Sequence, residues 1–107
     1  MSNNDTPVLD TIADITAASI DHSSGSPREF MLARLAALIA VDAPPASYLA
    51  NAPAITQAGL TEKDVEGIMI AVAPVVGTPR VTSAAGQILR ALGYAIAVGD
   101  TAEETGL

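Results

Sequence analysis

Apolar residues recur along this chain at spacings of three and four, which is the periodicity of one buried face of an α-helix. Leu35, Leu38 and Ile39 form one such stripe, and Val65 and Ile68 begin another. The alternation of apolar and polar residues that is typical of strands is scarce. The pattern predicts five helices, at about residues 7–20, 27–41, 45–58, 61–77 and 78–98.

Capping residues mark where two of these helices begin. Ser26, Pro27 and Glu29 stand in the order of an N-cap, a first-turn proline and the third helical residue of a capping box. Thr61 and Asp64 stand in the same N-cap and third helical positions at the start of the fourth helix. These local signals predict the starts of the second and fourth helices.

Glycine and proline mark helix ends and irregularities. Gly59 and Gly99 are predicted to end the third and fifth helices, because glycine readily adopts the left-handed conformation that follows a helix end. Pro53 lies inside the third helix and removes a backbone donor, so we expect a kink or a split around Asn51. Pro74 is expected to disturb the fourth helix in the same way.

Composition indicates a single all-α domain over residues 1–107, with an acidic tail at 100–107. Half of the residues are apolar, and most of the apolar side chains are small, which suits closely packed helices. A domain of this size buries only about two-thirds of the surface of its unfolded chain. The remaining apolar surface predicts that further copies of the chain cover part of it, so we expect a homo-oligomer.

The composition also excludes several kinds of chemistry. The chain has no cysteine, which excludes disulfides, thiolate zinc sites, iron–sulfur clusters and thiol redox reactions. The net charge is -7, from 12 acidic and 5 basic residues, so no nucleic-acid partner is expected. His22 is the only histidine and has no ligand-type neighbours, so we expect neither a metal nor a cofactor.

No membrane or export signal is evident. The longest apolar runs are shorter than the roughly 18–20 residues that span a bilayer. The first residues include no basic segment of the kind that opens a secretory signal. We therefore expect a cytoplasmic protein that does not contact a membrane.

The order of these signals resembles the carboxymuconolactone decarboxylase family, whose members share the alkyl-hydroperoxidase D-like fold. The resemblance covers about residues 26–98. It rests on Pro27-Arg28-Glu29 followed by Leu35-Ala36-Ala37-Leu38, on Ala58-Gly59-Leu60-Thr61-Glu62-Lys63-Asp64-Val65, and on Val76-Gly77-Thr78-Pro79-Arg80. The resemblance implies an all-α subunit of five helices that assembles into trimers or hexamers.

The chain departs from the family at the reactive positions. The peroxidase branch carries a Cys-x-x-Cys-x-x-x-His motif in its third helix, and those positions fall on Pro44, Ser47 and Asn51. Peroxide reduction needs a thiolate nucleophile, so its absence excludes that activity. The decarboxylase branch has a histidine where Asn51 stands, which leaves lyase-type chemistry without an evident acid or base.

Five residues are candidates for binding a ligand. Ser47 and Asn51 share a helix face with Tyr48 beside them, and they either hydrogen-bond a small carboxylate or serve as ordinary packing residues. Arg34 interrupts an apolar stripe, either as an ion pair with an acid of the first or fourth helix or as an anion clamp. Arg80 stands at a helix start, where a cation opposes the helix dipole, so a carboxylate partner in this or another subunit is expected.

Two functions are compatible with these features. In the first, the chain binds a small organic acid or lactone, or acts on it by non-redox chemistry, in an apolar pocket near Ser47, Tyr48 and Asn51 completed by Arg34 or Arg80. In the second, it is a non-catalytic family member that retains only an oligomeric scaffold for structure or interaction. An open pocket lined by Asn51 and an arginine favours the first, and a filled site favours the second. The sequence assigns no catalytic residue and identifies no ligand.

Overall fold

The computed structural model describes residues 6–96, and in that range the regular secondary structure is all helical, with no strand. The helices are α1 (Pro7–Asp21), α2 (Pro27–Ala40), α3 (Pro45–Gln57), α4 (Glu62–Val76) and α5 (Thr78–Leu92). The predicted all-α class and helix order are therefore confirmed, while the predicted acidic tail at 100–107 lies outside the described residues. Within the described range, no helix is long and apolar enough to cross a membrane.

Both predicted capping boxes are present. The Ser26 hydroxyl oxygen accepts a hydrogen bond from the Glu29 backbone N–H at 3.1 Å, and Glu29 Oε1 accepts one from the Ser26 backbone N–H at 2.9 Å. Thr61 and Asp64 make the equivalent pair of bonds at the start of α4. Each box satisfies backbone donors that the first helical turn leaves unpaired.

Asp64 also joins α4 to α2. Its two carboxylate oxygens accept hydrogen bonds from the Arg28 guanidinium at 2.6 and 3.2 Å. These bonds, together with the backbone N–H of Thr61, hold the pKa of the Asp64 carboxyl well below its usual range. Asp64 thus takes part in the cap of α4 and also forms an ion pair with α2.

The internal prolines do not split their helices. α3 is continuous through Pro53, and α4 is continuous through Pro74, so of the kink or split expected around Asn51 the split does not occur. The carbonyls deprived of their helical donors are four residues earlier, at Leu49 and Ile70, and both of these residues are exposed. Water can therefore bond the orphaned carbonyls, and the helices continue.

Two left-handed glycines end helices, one of them at an unexpected place. Gly59 follows α3 with a φ of 77°, as predicted. α5, however, ends at Gly93 with a φ of 75°, whereas the sequence predicted an end at Gly99, which lies outside the described residues. Ile96 extended the apolar spacing of α5 in the sequence, but it lies beyond the helix and lines a cavity of about 260 Å³ against α4.

The core is formed by one face of each helix from α2 to α5. The principal contacts join α2 to α3, α4 and α5, and join α5 to α3 and α4. The buried helical residues are Met31, Leu35 and Ile39 in α2, Tyr48, Asn51 and Ile55 in α3, Val65, Ile68 and Met69 in α4, and Val81, Ala84 and Ile88 in α5. Asn51 is the one buried polar residue in the described chain.

α1 lies outside this core. None of its residues is buried, and it takes part in none of the principal helix pairings. Five large apolar side chains of α1 are between 42% and 71% exposed: Val8, Leu9, Ile12, Ile15 and Ile20. The radius of gyration of 15.1 Å exceeds the roughly 12–13 Å expected for a compact domain of this length. The molecule is therefore a four-helix core with an amphipathic helix attached to one side.

Candidate functional site

Arg34 projects from α2 among apolar neighbours and is only partly exposed. Its guanidinium carbon lies 4.5 Å from the centroid of the Phe30 ring, one helical turn earlier, which is the geometry of a cation–π contact. Its Nη1 donates a hydrogen bond to Asn51 Oδ1 at 3.1 Å. Partial burial lowers the pKa of the guanidinium, although an arginine remains charged at any ordinary pH.

The partner of Arg34 is therefore a neutral amide. Between residues 6 and 96, the ion pairs are Arg28 with Asp64 and Lys63 with Glu66. The ion pair considered for Arg34 with an acid of α1 or α4 is not formed. The guanidinium of Arg34 lies over the Phe30 ring, so the cation stays at the edge of the core without a carboxylate.

Asn51 connects Arg34 to the backbone of α3. Its side-chain nitrogen donates to the carbonyl oxygen of Ser47 at 2.8 Å, which leaves its oxygen to accept from Arg34. Ser47 and Asn51 do share a helix face, as the spacing predicted. Ser47, however, contributes its backbone carbonyl to this cluster, so the amide is already fully oriented by the protein.

Tyr48 is completely buried beside this cluster. Its hydroxyl oxygen has no hydrogen-bond partner among the described residues. Burial, with the negative charge of Asp42 as a second cause, raises the pKa of Tyr48 to about 12. Asp42 itself has a left-handed backbone with a φ of 59° and accepts a hydrogen bond from the Ser83 hydroxyl at 2.7 Å.

Arg80 belongs to a different part of the fold. Its Nη1 donates to the backbone carbonyl of Ala40 at 3.0 Å, nearly two helical turns beyond Arg34 along α2. Within residues 6–96 the acceptor for Arg80 is this carbonyl and not a carboxylate, because the negative end of the α2 dipole lies there. A carboxylate partner from another subunit stays a prediction. The structure therefore brings Arg34, Ser47 and Asn51 together and leaves Arg80 separate.

A cavity of about 220 Å³ lies between the end of α1, the start of α2 and the end of α3. Its lining is mainly apolar and includes Ile20, Phe30, Met31, Ala54 and Ala58. Phe30 is shared between this cavity and Arg34. Four cavities within residues 6–96 have linings that include none of the five predicted site residues.

The contact between Phe30 and Arg34 was not foreseen in the sequence, although their spacing of four residues could have revealed it. His22 is exposed at the end of α1. Among residues 6–96, no three His, Asp or Glu side chains are grouped so that they could hold a metal ion. The arrangement offers hydrogen-bond donors to an anion but no paired acid and base.

No protein-family model, curated protein or solved structure matches this chain.

Proposed function

We propose that this chain is a non-catalytic helical module that assembles with copies of itself. The observation that carries the proposal is α1, a helix of 15 residues with an apolar face and no buried residue. A monomer would leave that face in water, at a free-energy cost that association removes. The resemblance to the carboxymuconolactone decarboxylase family forms part of the proposal, since it implies a helical subunit that assembles into trimers or hexamers.

The chemistry around Asn51 supports a non-catalytic role. The amide of Asn51 is held by Ser47 through its nitrogen and by Arg34 through its oxygen, and the Tyr48 hydroxyl, with a pKa of about 12, is a poor proton donor at neutral pH. No described residue near Ser47 is placed to activate its hydroxyl as a nucleophile. The linings of the four cavities in residues 6–96 include none of Ser47, Tyr48 and Asn51, and this supports the scaffold function over ligand binding at these residues.

The test is the molar mass in solution. Size-exclusion chromatography with light scattering, over about a hundredfold range of micromolar protein concentrations, should give a mass well above the 10.8 kDa of one chain. The mass should rise with concentration if the exposed apolar surface drives assembly. A constant mass of one chain across that range would contradict the proposal.

Binding of a small organic acid at Arg34 is a second candidate function. It is favoured by one observation: a partly buried guanidinium with no carboxylate partner in residues 6–96 lies on Phe30, which also lines the apolar cavity of about 220 Å³. Arg34 has donors beyond the one used by Asn51. A small organic acid would place its carboxylate at Arg34 and its apolar part in the cavity.

Benzoate is a suitable probe for this second function, and benzamide is its neutral counterpart. Chemical-shift titration should show benzoate perturbing residues around Phe30, with benzamide much weaker. Arg34→Gln should abolish the benzoate effect, whereas Arg90→Gln, an equal charge change at an exposed site, should preserve it. Equal binding of both probes, or unchanged binding by Arg34→Gln, would remove this candidate.

A further inference from the structure

The exposed apolar face of α1 has the spacing of a helix-pairing seam. Val8, Ile12, Ile15 and Ser19 follow one another at intervals of four, three and four, the pattern of the inward positions of a coiled coil. Val8 and Ile15 are the two most exposed large apolar side chains of α1. Ile12, between them, is 48% exposed, so all three large apolar side chains of the seam are open to a partner.

The rest of the bundle occupies a different side of α1. Thr16 is the one half-buried residue within α1, and Ile20, one turn later, lines the cavity beside α2 and α3. At roughly 100° per residue, these two positions lie about a quarter turn from the seam. The four-helix core thus leaves the seam free for a second helix.

The charges of α1 point away from the seam. Asp10, Asp14 and Asp21 are its only charged residues, and the helical rotation places all three on the side opposite Val8, Ile12 and Ile15. A basic partner helix would form ion pairs with acidic residues that border the seam, but the three aspartates lie on the opposite side of α1. A membrane-surface helix would carry lysine or arginine, which α1 lacks.

From this arrangement we infer that α1 pairs with α1 of a second copy, antiparallel, through Val8, Ile12, Ile15 and Ser19. The inference rests on the proposed function, because it names the surface by which copies of the chain assemble. In such a pair the apolar seams face each other and every aspartate points outward, so the contact brings no like charges together. A second copy is therefore the occupant that matches both the apolar and the acidic side of this helix.

The antiparallel direction follows from the attachment of α1 to the core. Residues 22–26 join the C-terminal end of α1 to α2. Antiparallel pairing places the two cores at opposite ends of the helix pair, which separates two chains that each carry a net charge of -7. It also aligns the two helix dipoles favourably. Val8 of one copy then faces Ser19 of the other.

Disulfide cross-linking tests this register, and the absence of native cysteine makes every product specific to the introduced residues. A mixture of V8C and S19C chains, distinguished by a mass tag, should form the mixed disulfide on mild oxidation. V8C alone and the outward-facing D14C alone should stay largely reduced. Preferential V8C self-linkage would overturn the antiparallel pairing, and equally fast linkage by D14C would overturn the seam.

A double substitution separates this inference from the proposed function. Ile12→Asn with Ile15→Asn should weaken self-association about tenfold or more, because each pair of helices loses four apolar side chains from its contact. The urea midpoint of the core should stay unchanged, since neither residue is buried. Ala17→Asn, on the outward side, is the matched control and should assemble normally. Undiminished assembly of the double variant would overturn the α1 pairing while leaving self-assembly intact, and a monomeric native chain would overturn both.

Discussion

Tyr48 has a buried ring, which stabilises the core, and a buried hydroxyl without a hydrogen-bond partner, which destabilises it. Its ring is completely buried between α3 and the rest of the bundle, but its hydroxyl is the one buried side-chain polar atom of residues 6–96 without a hydrogen-bond partner. Such an atom costs about 1–3 kcal/mol of desolvation that no bond returns. The ring, and not the hydroxyl, is therefore what stabilises the fold at this position.

Removal of that hydroxyl should make the protein more stable. Tyr48→Phe keeps the ring, so we expect the free energy of unfolding to rise by about 1 kcal/mol. Urea denaturation followed by circular dichroism measures the change. Tyr94→Phe is the control, because Tyr94 lies outside the helices and is only half-buried, and it should change little. A clear loss of stability in Tyr48→Phe would mean that a bound water satisfies the hydroxyl.

The same residue predicts how stability depends on alkaline pH. The pKa of Tyr48 is raised to about 12 in the folded protein, against about 10 in an unfolded chain. The unfolded state therefore releases the proton first, and stability is full below about pH 10 and falls as the pH rises toward 12. Urea midpoints across this range should fall less steeply for Tyr48→Phe. Identical slopes for the two proteins would contradict the assignment.

Individual residues also show what sequence reasoning could not supply at the site. Helical spacing correctly placed Ser47 and Asn51 on one face, and it marked Arg34 as a cation in need of a partner. It did not identify that partner as Asn51, because the contact depends on how α2 packs against α3. Arg80 was assigned a carboxylate for the same reason: its acceptor, the carbonyl of Ala40, is 40 residues away in the chain.

At the scale of helices, the sequence predicted those features that depend only on residues close together in the chain. The capping boxes at Ser26 and Thr61 involve side chains three residues apart, so the sequence predicted them directly. The end of α5 was misplaced because Gly93 and Gly99 are both able to end a helix, and the apolar spacing ran on to Ile96. The continuity of α3 through Pro53 depends on the exposure of a carbonyl, which only the packed structure reveals.

Gly67 is a helix-interior glycine whose replacement should stabilise α4. A Cβ at this position would have no atom within 4 Å, and the residue lines an open groove beside α2. Gly67→Ala should therefore raise the free energy of unfolding by about 1 kcal/mol through helix propensity alone. Gly59→Ala is the contrasting variant and should destabilise, because Gly59 has a φ of +77°. Thermal unfolding of both checks the sign, and a destabilised Gly67→Ala would show that something packs into that groove.

At the scale of the whole molecule, hydrophobic attraction and charge repulsion between copies oppose each other. The exposed apolar face of α1 favours association, while a net charge of -7 on each chain disfavours it. Added salt screens the repulsion but leaves the apolar attraction in place. We therefore expect self-association, measured by sedimentation velocity, to strengthen as sodium chloride is raised from low to physiological concentration. Dissociation by salt would instead indicate that ion pairs hold the copies together.

The separation of α1 from the core has a thermodynamic consequence for the helix itself. A helix of 15 residues with no fully buried residue depends largely on its own propensity, and isolated helices of about 12–15 residues are only marginally stable in water. If α1 pairs with a second copy as inferred above, folding of this segment and docking of its partner form a single coupled equilibrium. Dilution of the protein should then unwind α1 while the four-helix core stays folded.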